Sequence, residues 1–228
     1  QATKALGHGD FQILVFAPST VQEMVDLVSD AFDKADEYRM PAMILADGML
    51  GQMMEPVELP EHKDRKLPKK PWAACGHENK REHNIINSLY LTPNALEDLV
   101  RARYERYKIV EEKEQRAEEY RTEDADVIVV AYGASSRVAR SAVNKAREAG
   151  KKVGLIRPIT LWPFPKDAIK RAADHAKELL VVEMSMGQMV DDVRLAAECR
   201  VPVHFYGRTG GVIPTPKEIL GEIDKLLK

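Results

Sequence analysis

The stretch VGLIRPITLWPFP, residues 153–165, decides the fold because it joins two apolar runs through Arg157 and Pro158. The first run, residues 153–156, is too short for a buried helix and has charged neighbours, so it predicts a buried strand of a parallel sheet. Pro158 has no N–H to donate, and we therefore place it at the carboxyl edge of that sheet. Ligands and partners bind at this edge in open α/β sheets.

The half of the chain around this stretch alternates between short apolar runs and amphipathic segments. We predict strands at residues 127–131, 153–156, 179–182 and 203–206. Helices are predicted between and after them, at residues 136–149, 165–176, 188–198 and 216–227. Gly150 is placed to end the first of these helices in the left-handed conformation. This alternation is typical of a layered α/β domain.

The first part of the chain contains another strand–helix–strand unit. Residues 12–17 predict a buried strand, and Thr20 and Glu23 have the spacing of a capping box, in which each side chain satisfies the other's backbone N–H. We predict an amphipathic helix at residues 21–38 and a second strand at residues 41–46. A helix of this length between two strands favours a right-handed crossover and parallel strands.

A long proline-rich segment without a periodic pattern follows, from about residue 49 to residue 92. It is longer than ordinary loops, so we expect an arm on another surface or a functional loop. Met49, Leu50, Met53 and Met54 form an apolar cluster that either covers the first sheet or belongs to an interface.

Thr92 and Pro93 begin a highly charged helix that we expect to continue to about Arg121. A helix this polar bridges two bodies rather than lying in a core. We therefore predict a first domain with its arm at residues 1–92, a linker helix at 93–123 and a second domain at 124–228.

The composition excludes several classes of partner. The 228 residues carry a net charge of −2, which provides no basic surface for nucleic acid. No apolar run approaches the roughly 20 residues that span a bilayer, so we expect no membrane partner. Two cysteines, Cys75 and Cys199, cannot form a disulfide framework or a four-thiolate iron–sulfur site, and we interpret them as structural thiols in a reducing cytoplasm.

Three turns at the predicted carboxyl edge are candidate sites. Ser135 or Ser136 is expected to cap a helix, with phosphate binding at the same N-terminus as the alternative. Arg208, in the turn 207–211, either pairs with a phosphate or carboxylate or packs against a partner subunit. Glu183 could contact a ligand, but we expect it to cap a helix or to form an interface hydrogen bond.

His8 with Asp10, and Asp47, raise the question of acid–base chemistry. Because Asp10 precedes its strand and Asp47 follows its own, parallel strands place them near opposite edges, and we expect no joint site. The other histidines show no metal-ligand spacing; they are His62, His77, His83, His175 and His204. From the residues alone, no catalytic, cofactor-binding or metal-binding constellation is visible.

Several uncommon strings occur in order along the whole chain. They are APSTVQEMVDL (17–27), ILADGMLGQMMEP (44–56), VAYGASSRVA (130–139), RPITLWPFP (157–165), VVEMSMGQMVDDVR (181–194) and FYGRTGGVIPTPKEI (205–219). Together they resemble the alpha-type subunit of 2-oxoacid:ferredoxin oxidoreductases, most of all the branched-chain, 2-oxoisovalerate type.

The resemblance implies an α/β fold with two parts. The first would be part of a pyrimidine-binding domain of thiamine diphosphate enzymes, and the second a three-layer α/β/α domain like the C-terminal domain of transketolase. The holoenzyme would oxidatively decarboxylate 3-methyl-2-oxobutanoate or a similar acid to an acyl-CoA and reduce ferredoxin. It would use thiamine diphosphate, Mg and iron–sulfur clusters, with a diphosphate-binding beta subunit, a gamma subunit and a ferredoxin-like delta subunit as partners.

This chain departs from the family pattern at its start, where Gln1 leads straight into a strand. The family's N-terminal segment, with the glutamate that activates the aminopyrimidine, has no counterpart here. We therefore expect a fragment that binds none of these cofactors alone and is inactive alone, and no catalytic residue is carried over. The alternatives are a 2-oxoglutarate-specific member of the family and a non-catalytic docking or anion-binding module that uses the turn 207–211.

Overall fold

The structure, a computed structural model, describes residues 7, 9–61 and 68–228. The elements within these ranges are β1 (Leu14–Phe16), α1 (Val21–Tyr38), β2 (Ala42–Ile44), α2 (Gly48–Gln52), α3 (Pro93–Lys113), β3 (Ala117–Tyr120), β4 (Val127–Val130), α4 (Gly133–Glu148), β5 (Val153–Pro158), β6 (Thr160–Trp162), α5 (Lys166–Ala173), β7 (Glu178–Glu183), α6 (Met189–Ala197), β8 (Val203–Gly207) and α7 (Pro216–Leu226).

The first sheet has the strand order β2-β1-β6. Strands β1 and β2 are parallel, as predicted, and α1 has the predicted bounds. The predicted capping box is half right. Thr20 accepts a hydrogen bond from the Glu23 N–H at 3.0 Å, but the Glu23 carboxylate accepts from the Ser19 N–H at 2.7 Å instead of returning to Thr20. The Glu23 carboxylate also accepts hydrogen bonds from Arg157 of the second sheet, as described below.

The second sheet has the order β3-β5-β4-β7-β8, in which only β3 is antiparallel to its neighbour. One face packs against α4 and α7, and the other against α5 and α6. This is the expected three-layer α/β/α arrangement, and the predicted strands and helices of this half are confirmed within a few residues. Gly150 has φ +76°, and its N–H donates to the Arg147 carbonyl at 2.9 Å, so it ends α4 as predicted.

The stretch 153–165 belongs to both sheets. The prediction that Pro158 lies beyond the strand is wrong, because β5 includes Pro158. Strand β4 pairs with β5 only up to Ile156, so the last residues of β5 pair with β3 alone and a missing N–H is tolerated there. The chain then crosses over, and β6 joins β1 in antiparallel pairing. Trp162 is buried in the first core, with its ring 5.6 Å from that of Tyr107.

The charged helix is shorter than predicted. It ends at Lys113 rather than near Arg121, and the residues after it form the edge strand β3. Charged side chains on both faces of β3 are paired with arginines of the helices that flank the sheet: Glu118 with Arg140 of α4, and Glu119 with Arg171 of α5. The alternation that marks a strand is therefore hidden in a run of polar residues.

Glu114, directly after α3, is buried against α1. Its carboxylate accepts from the Tyr38 hydroxyl at 2.7 Å and pairs with Lys34 at 2.7 Å and Arg116 at 2.9 Å. Burial raises the pKa of Glu114, but hydrogen bonds from these three donors outweigh that effect and hold its pKa below the ordinary value of 4.5. The end of α3 is thus fixed to α1.

The described residues of the long arm form no helix or strand between residues 53 and 91. The arm follows α1 along its length, since the Glu55 carboxylate accepts from the Val21 N–H at 2.9 Å and Lys70 pairs with Asp36 at 2.6 Å. The predicted apolar cluster is divided, because Leu50 is buried whereas Met54 is 97% exposed. In the described ranges, every helix is too short or too polar to cross a lipid bilayer.

Candidate functional site

A cleft of about 570 Å³ lies where the two sheets meet, at the carboxyl ends of β4 and β7. It is lined by residues from the turns after β2, β4, β7 and β8. From β4 the chain passes through α4 to β5 on one side, whereas β7 continues through α6 to β8 on the other. Because α4 and α6 pack on opposite faces, the cleft lies at the topological switch point of the sheet. Open α/β sheets bind ligands at such points.

Asp47 joins the two sheets at this cleft. Its Oδ1 accepts from the Leu50 N–H of α2 at 2.9 Å, and its Oδ2 accepts from the Ala134 N–H of α4 at 2.8 Å. The prediction that Ser135 or Ser136 caps α4 is therefore wrong. The Ser136 hydroxyl donates to the Gly133 carbonyl at 2.6 Å instead. Since a carboxylate already occupies the N-terminus of α4, the alternative of a phosphate at this position is not supported either.

Gly133 makes this contact possible. Its φ is +57°, and a Cβ built at this position would lie 2.7 Å from Asp47 Oδ2. A side chain would therefore require both the left-handed conformation and displacement of the carboxylate. Residues 47 and 133 are far apart in the sequence, so the close approach of Asp47 to this turn carries no local sequence signal.

Glu183 is buried at the end of β7 and caps α6, as predicted. Its carboxylate accepts from the backbone N–H groups of Gln188, Met189 and Val190 at 3.0–3.2 Å. The Ser185 hydroxyl donates to the same carboxylate at 3.0 Å. The negative charge is thereby balanced by the positive end of the helix dipole.

Tyr132 lies between these two carboxylates and lines the cleft. Burial raises the pKa of the Tyr132 hydroxyl, and the charges of Glu183 and Asp47 raise it further. The hydroxyl therefore stays protonated and can donate a hydrogen bond across the physiological pH range. Sequence reasoning did not single out Tyr132, because a tyrosine before a helix has no distinguishing local pattern.

A second junction is built around Arg157 of β5, which is 7% exposed. Its guanidinium donates to both oxygens of Glu23 at 2.9 Å and to Glu118 at 3.0 Å, which ties α1 to the second sheet. Burial raises the pKa of Glu118, but hydrogen bonds from Arg140 and Arg157 outweigh burial, so the net shift is downward. Two arginines of α4 are paired with carboxylates as well, Arg140 with Glu118 and Arg137 with Glu55 at 2.7 Å.

The remaining candidates are separated or already paired. Arg208 pairs with Glu218 of α7 at 2.9 Å. The alternative of an anion-binding module needs an unpaired cation in this turn, and Arg208 is not one. His8 lies outside the described residues, as does His62. Asp10 precedes β1 and Asp47 follows β2, so these parallel strands keep the two apart, as expected.

Within residues 7, 9–61 and 68–228, no group of three or more His, Cys, Asp or Glu side chains is placed to hold a metal ion. Both cysteines are exposed and have free thiols. These residues form a hydrogen-bonded junction between the two sheets with a cleft beside it.

Two family models match the chain. Residues 2–128 match the thiamine diphosphate-binding domain of pyruvate flavodoxin/ferredoxin oxidoreductases, and residues 125–219 match core domain II of pyruvate:ferredoxin oxidoreductase. The ketoisovalerate oxidoreductase subunit VorB of Methanothermobacter marburgensis is 46% identical over 99% of this chain. The 2-oxoglutarate synthase subunit KorA of the same organism is 32% identical over 95% of this chain. In each case, the chain spans 64% of the relative's length.

Solved structures show the same fold. The 2-oxoglutarate:ferredoxin oxidoreductase from Magnetococcus marinus superposes with a TM-score of 0.77 at 21% identity, covering 99% of this chain and 44% of that one. An inactive β4 tetramer of a split-gene transketolase superposes with a TM-score of 0.52 at 15% identity, covering 94% of this chain and 57% of that one. The predicted fold class and family resemblance are confirmed. This chain belongs to the pyruvate flavodoxin/ferredoxin oxidoreductase family.

Proposed function

We propose that this chain works as an alpha-type subunit of a thiamine diphosphate-dependent 2-oxoacid:ferredoxin oxidoreductase, with a branched-chain 2-oxoacid such as 3-methyl-2-oxobutanoate as the substrate. The single observation that carries this proposal is the 46% identity to a ketoisovalerate oxidoreductase subunit over 99% of the chain. Identity to a 2-oxoglutarate synthase subunit falls to 32% over a similar share of the chain. The difference favours the branched-chain acid over 2-oxoglutarate.

In this proposal other subunits hold the metal and the diphosphate. The partners are a diphosphate-binding beta subunit, a gamma subunit and a ferredoxin-like delta subunit that carries iron–sulfur clusters, all in the cytoplasm. Thiamine diphosphate, bound with Mg, supplies the electron sink for decarboxylation; CoA accepts the acyl group and ferredoxin accepts the electrons.

The chain's own residues hold the two domains in a fixed orientation. Asp47 is bonded to both α2 and α4, and Arg157 is bonded to α1 and β3. These charge-assisted hydrogen bonds are partly shielded from water and have several donors each, which makes them directional as well as strong. We infer that this rigidity keeps the thiamine-binding domain in register with the partner subunits. A catalytic centre needs such positioning to within fractions of an ångström.

The test is purification of the native complex through a tag on this chain, followed by native mass spectrometry and assays of thiamine diphosphate and iron. The proposal expects larger assemblies that contain both cofactors. Recovery of this chain by itself, with neither cofactor, would contradict it.

A further inference from the structure

The cleft at the switch point contains hydroxyl groups that the fold does not use. Ser135 is only 4% exposed and lines the cleft. Within the part of the chain that the structure describes, neither the Ser135 hydroxyl nor that of Tyr132 has a hydrogen-bond partner. Among the described residues, the fully buried side-chain atoms without a partner are Gln12 Oε1 and Arg106 Nε, so the Ser135 and Tyr132 hydroxyls are open to the cleft and free to donate to a molecule bound there.

The charged groups of the cleft, by contrast, are already engaged. Both oxygens of Asp47 accept from helix N-termini, and both oxygens of Glu183 accept from α6. The described residues that line the cleft include no lysine, arginine or histidine. An anion would therefore meet two carboxylates without a counter-charge, and a cation would compete with backbone donors for oxygens that are already bonded.

Part of the remaining wall is apolar and comes from Met49, Val182, Met184, Val212 and Ile213, while Gln52, Ser185 and Gln188 add uncharged polar groups. A volume of about 570 Å³ lies within the range of small-molecule sites. Two hydroxyl donors next to apolar and uncharged polar side chains suit a flat, uncharged ring that carries hydrogen-bond acceptors.

We propose that this cleft binds an uncharged small molecule whose ring presents carbonyl or ring-nitrogen acceptors to Ser135 and Tyr132, as a nucleoside does. This inference does not rest on the proposed function. The raised pKa of Tyr132 supports its role as a donor.

The test is equilibrium dialysis of the intact complex against uridine and, as a charged match, UMP. We expect saturable binding of uridine and binding of UMP that is at least about tenfold weaker, because its phosphate meets two carboxylates. Tyr132→Phe and Ser135→Ala should each weaken uridine binding about fivefold, the usual effect of one lost neutral hydrogen bond. Ser141→Ala is the control, since Ser141 is exposed on α4 and donates to the Arg137 carbonyl at 3.3 Å.

Tyr132→Phe keeps the ring that packs between the two cores, so it reports on the hydroxyl even where Ser135→Ala perturbs the start of α4. Three results would each overturn the proposal: no saturable uridine binding, UMP binding as tight as uridine binding, or uridine binding unchanged in both variants. Each is read from binding rather than turnover, so it leaves the oxidoreductase assignment standing. Conversely, loss of that assignment does not alter the dialysis result.

Discussion

Replacement of Gly133 by alanine tests the junction between the two sheets. The new methyl group would require the left-handed conformation at φ +57° and would lie 2.7 Å from Asp47 Oδ2. The backbone effect costs about 1–2 kcal/mol. Displacement of the carboxylate breaks its hydrogen bond to the Ala134 N–H, which is worth about 1.5–3 kcal/mol for a charged acceptor. We therefore expect Gly133→Ala to lower the free energy of unfolding by about 2.5–5 kcal/mol.

Gly150→Ala is the matched control. Gly150 also has a positive φ, of +76°, but a Cβ there would meet no atom within 4 Å. Only the backbone effect of about 1–2 kcal/mol should remain. The assay is urea denaturation followed by far-ultraviolet circular dichroism, with both variants compared at the same temperature and pH.

A double-mutant cycle separates the two contributions to the Gly133 effect. In an Asp47→Ala background there is no carboxylate to displace, so Gly133→Ala should cost only about 1–2 kcal/mol. If Gly133→Ala costs no more than Gly150→Ala in the wild-type background, Asp47 does not restrain this turn and our account of the junction fails.

Three further predictions concern the buried charges. Arg157→Met leaves Glu23 without its arginine partner and Glu118 with Arg140 alone, and it should destabilise the chain by about 3 kcal/mol in urea. The control Lys225→Met removes an exposed ion pair and should change stability by less than about 1 kcal/mol. The folded-state pKa of Glu114 lies below 4.5, so its stabilising effect is present above pH 4.5 and is lost as the pH falls through the folded-state pKa. Between about pH 5 and about pH 3, Glu114→Gln should therefore lose less stability than the wild type. Equal slopes of unfolding free energy against pH in the two proteins would count against this role. Glu183→Gln turns an NH₂ group toward the donors of α6 and should cost about 1–3 kcal/mol in the same assay; an unchanged midpoint would refute the cap.

Local sequence patterns predicted most of the elements. Short apolar runs become β4, β7 and β8, and the amphipathic spacing in α1 predicts its bounds to the residue. These elements are stabilised by burial along one face, which a period in the sequence records directly.

The two missed strands depend on partners far away in the chain. Strand β3 has charged residues on both faces, and only arginines from α4 and α5 make them compatible with a sheet edge. Strand β6 belongs to an apolar run, but the composition of that run does not indicate which sheet it joins. Its partner is β1, about 145 residues earlier in the chain.

The candidate site was the least predictable part. Asp47 was correctly placed at the carboxyl end of a strand, but its bond to Ala134, 87 residues away, follows only from how the two sheets pack. The absence of catalytic residues from this chain and the domain boundaries at residues 92 and 123 stay predictions. Family membership was predictable because uncommon strings occur in the same order along the whole chain. Such a match depends on many positions at once rather than on one helix or strand.

The most direct test of the central claim is the reduction of a viologen dye by the purified native complex in the presence of CoA. Our account predicts dye reduction with 3-methyl-2-oxobutanoate that requires CoA and exceeds the rate with 2-oxoglutarate by at least about tenfold, a difference of about 1.4 kcal/mol in transition-state binding. Faster reduction with 2-oxoglutarate would contradict the substrate assignment, and no reduction with either acid would contradict the proposed function itself.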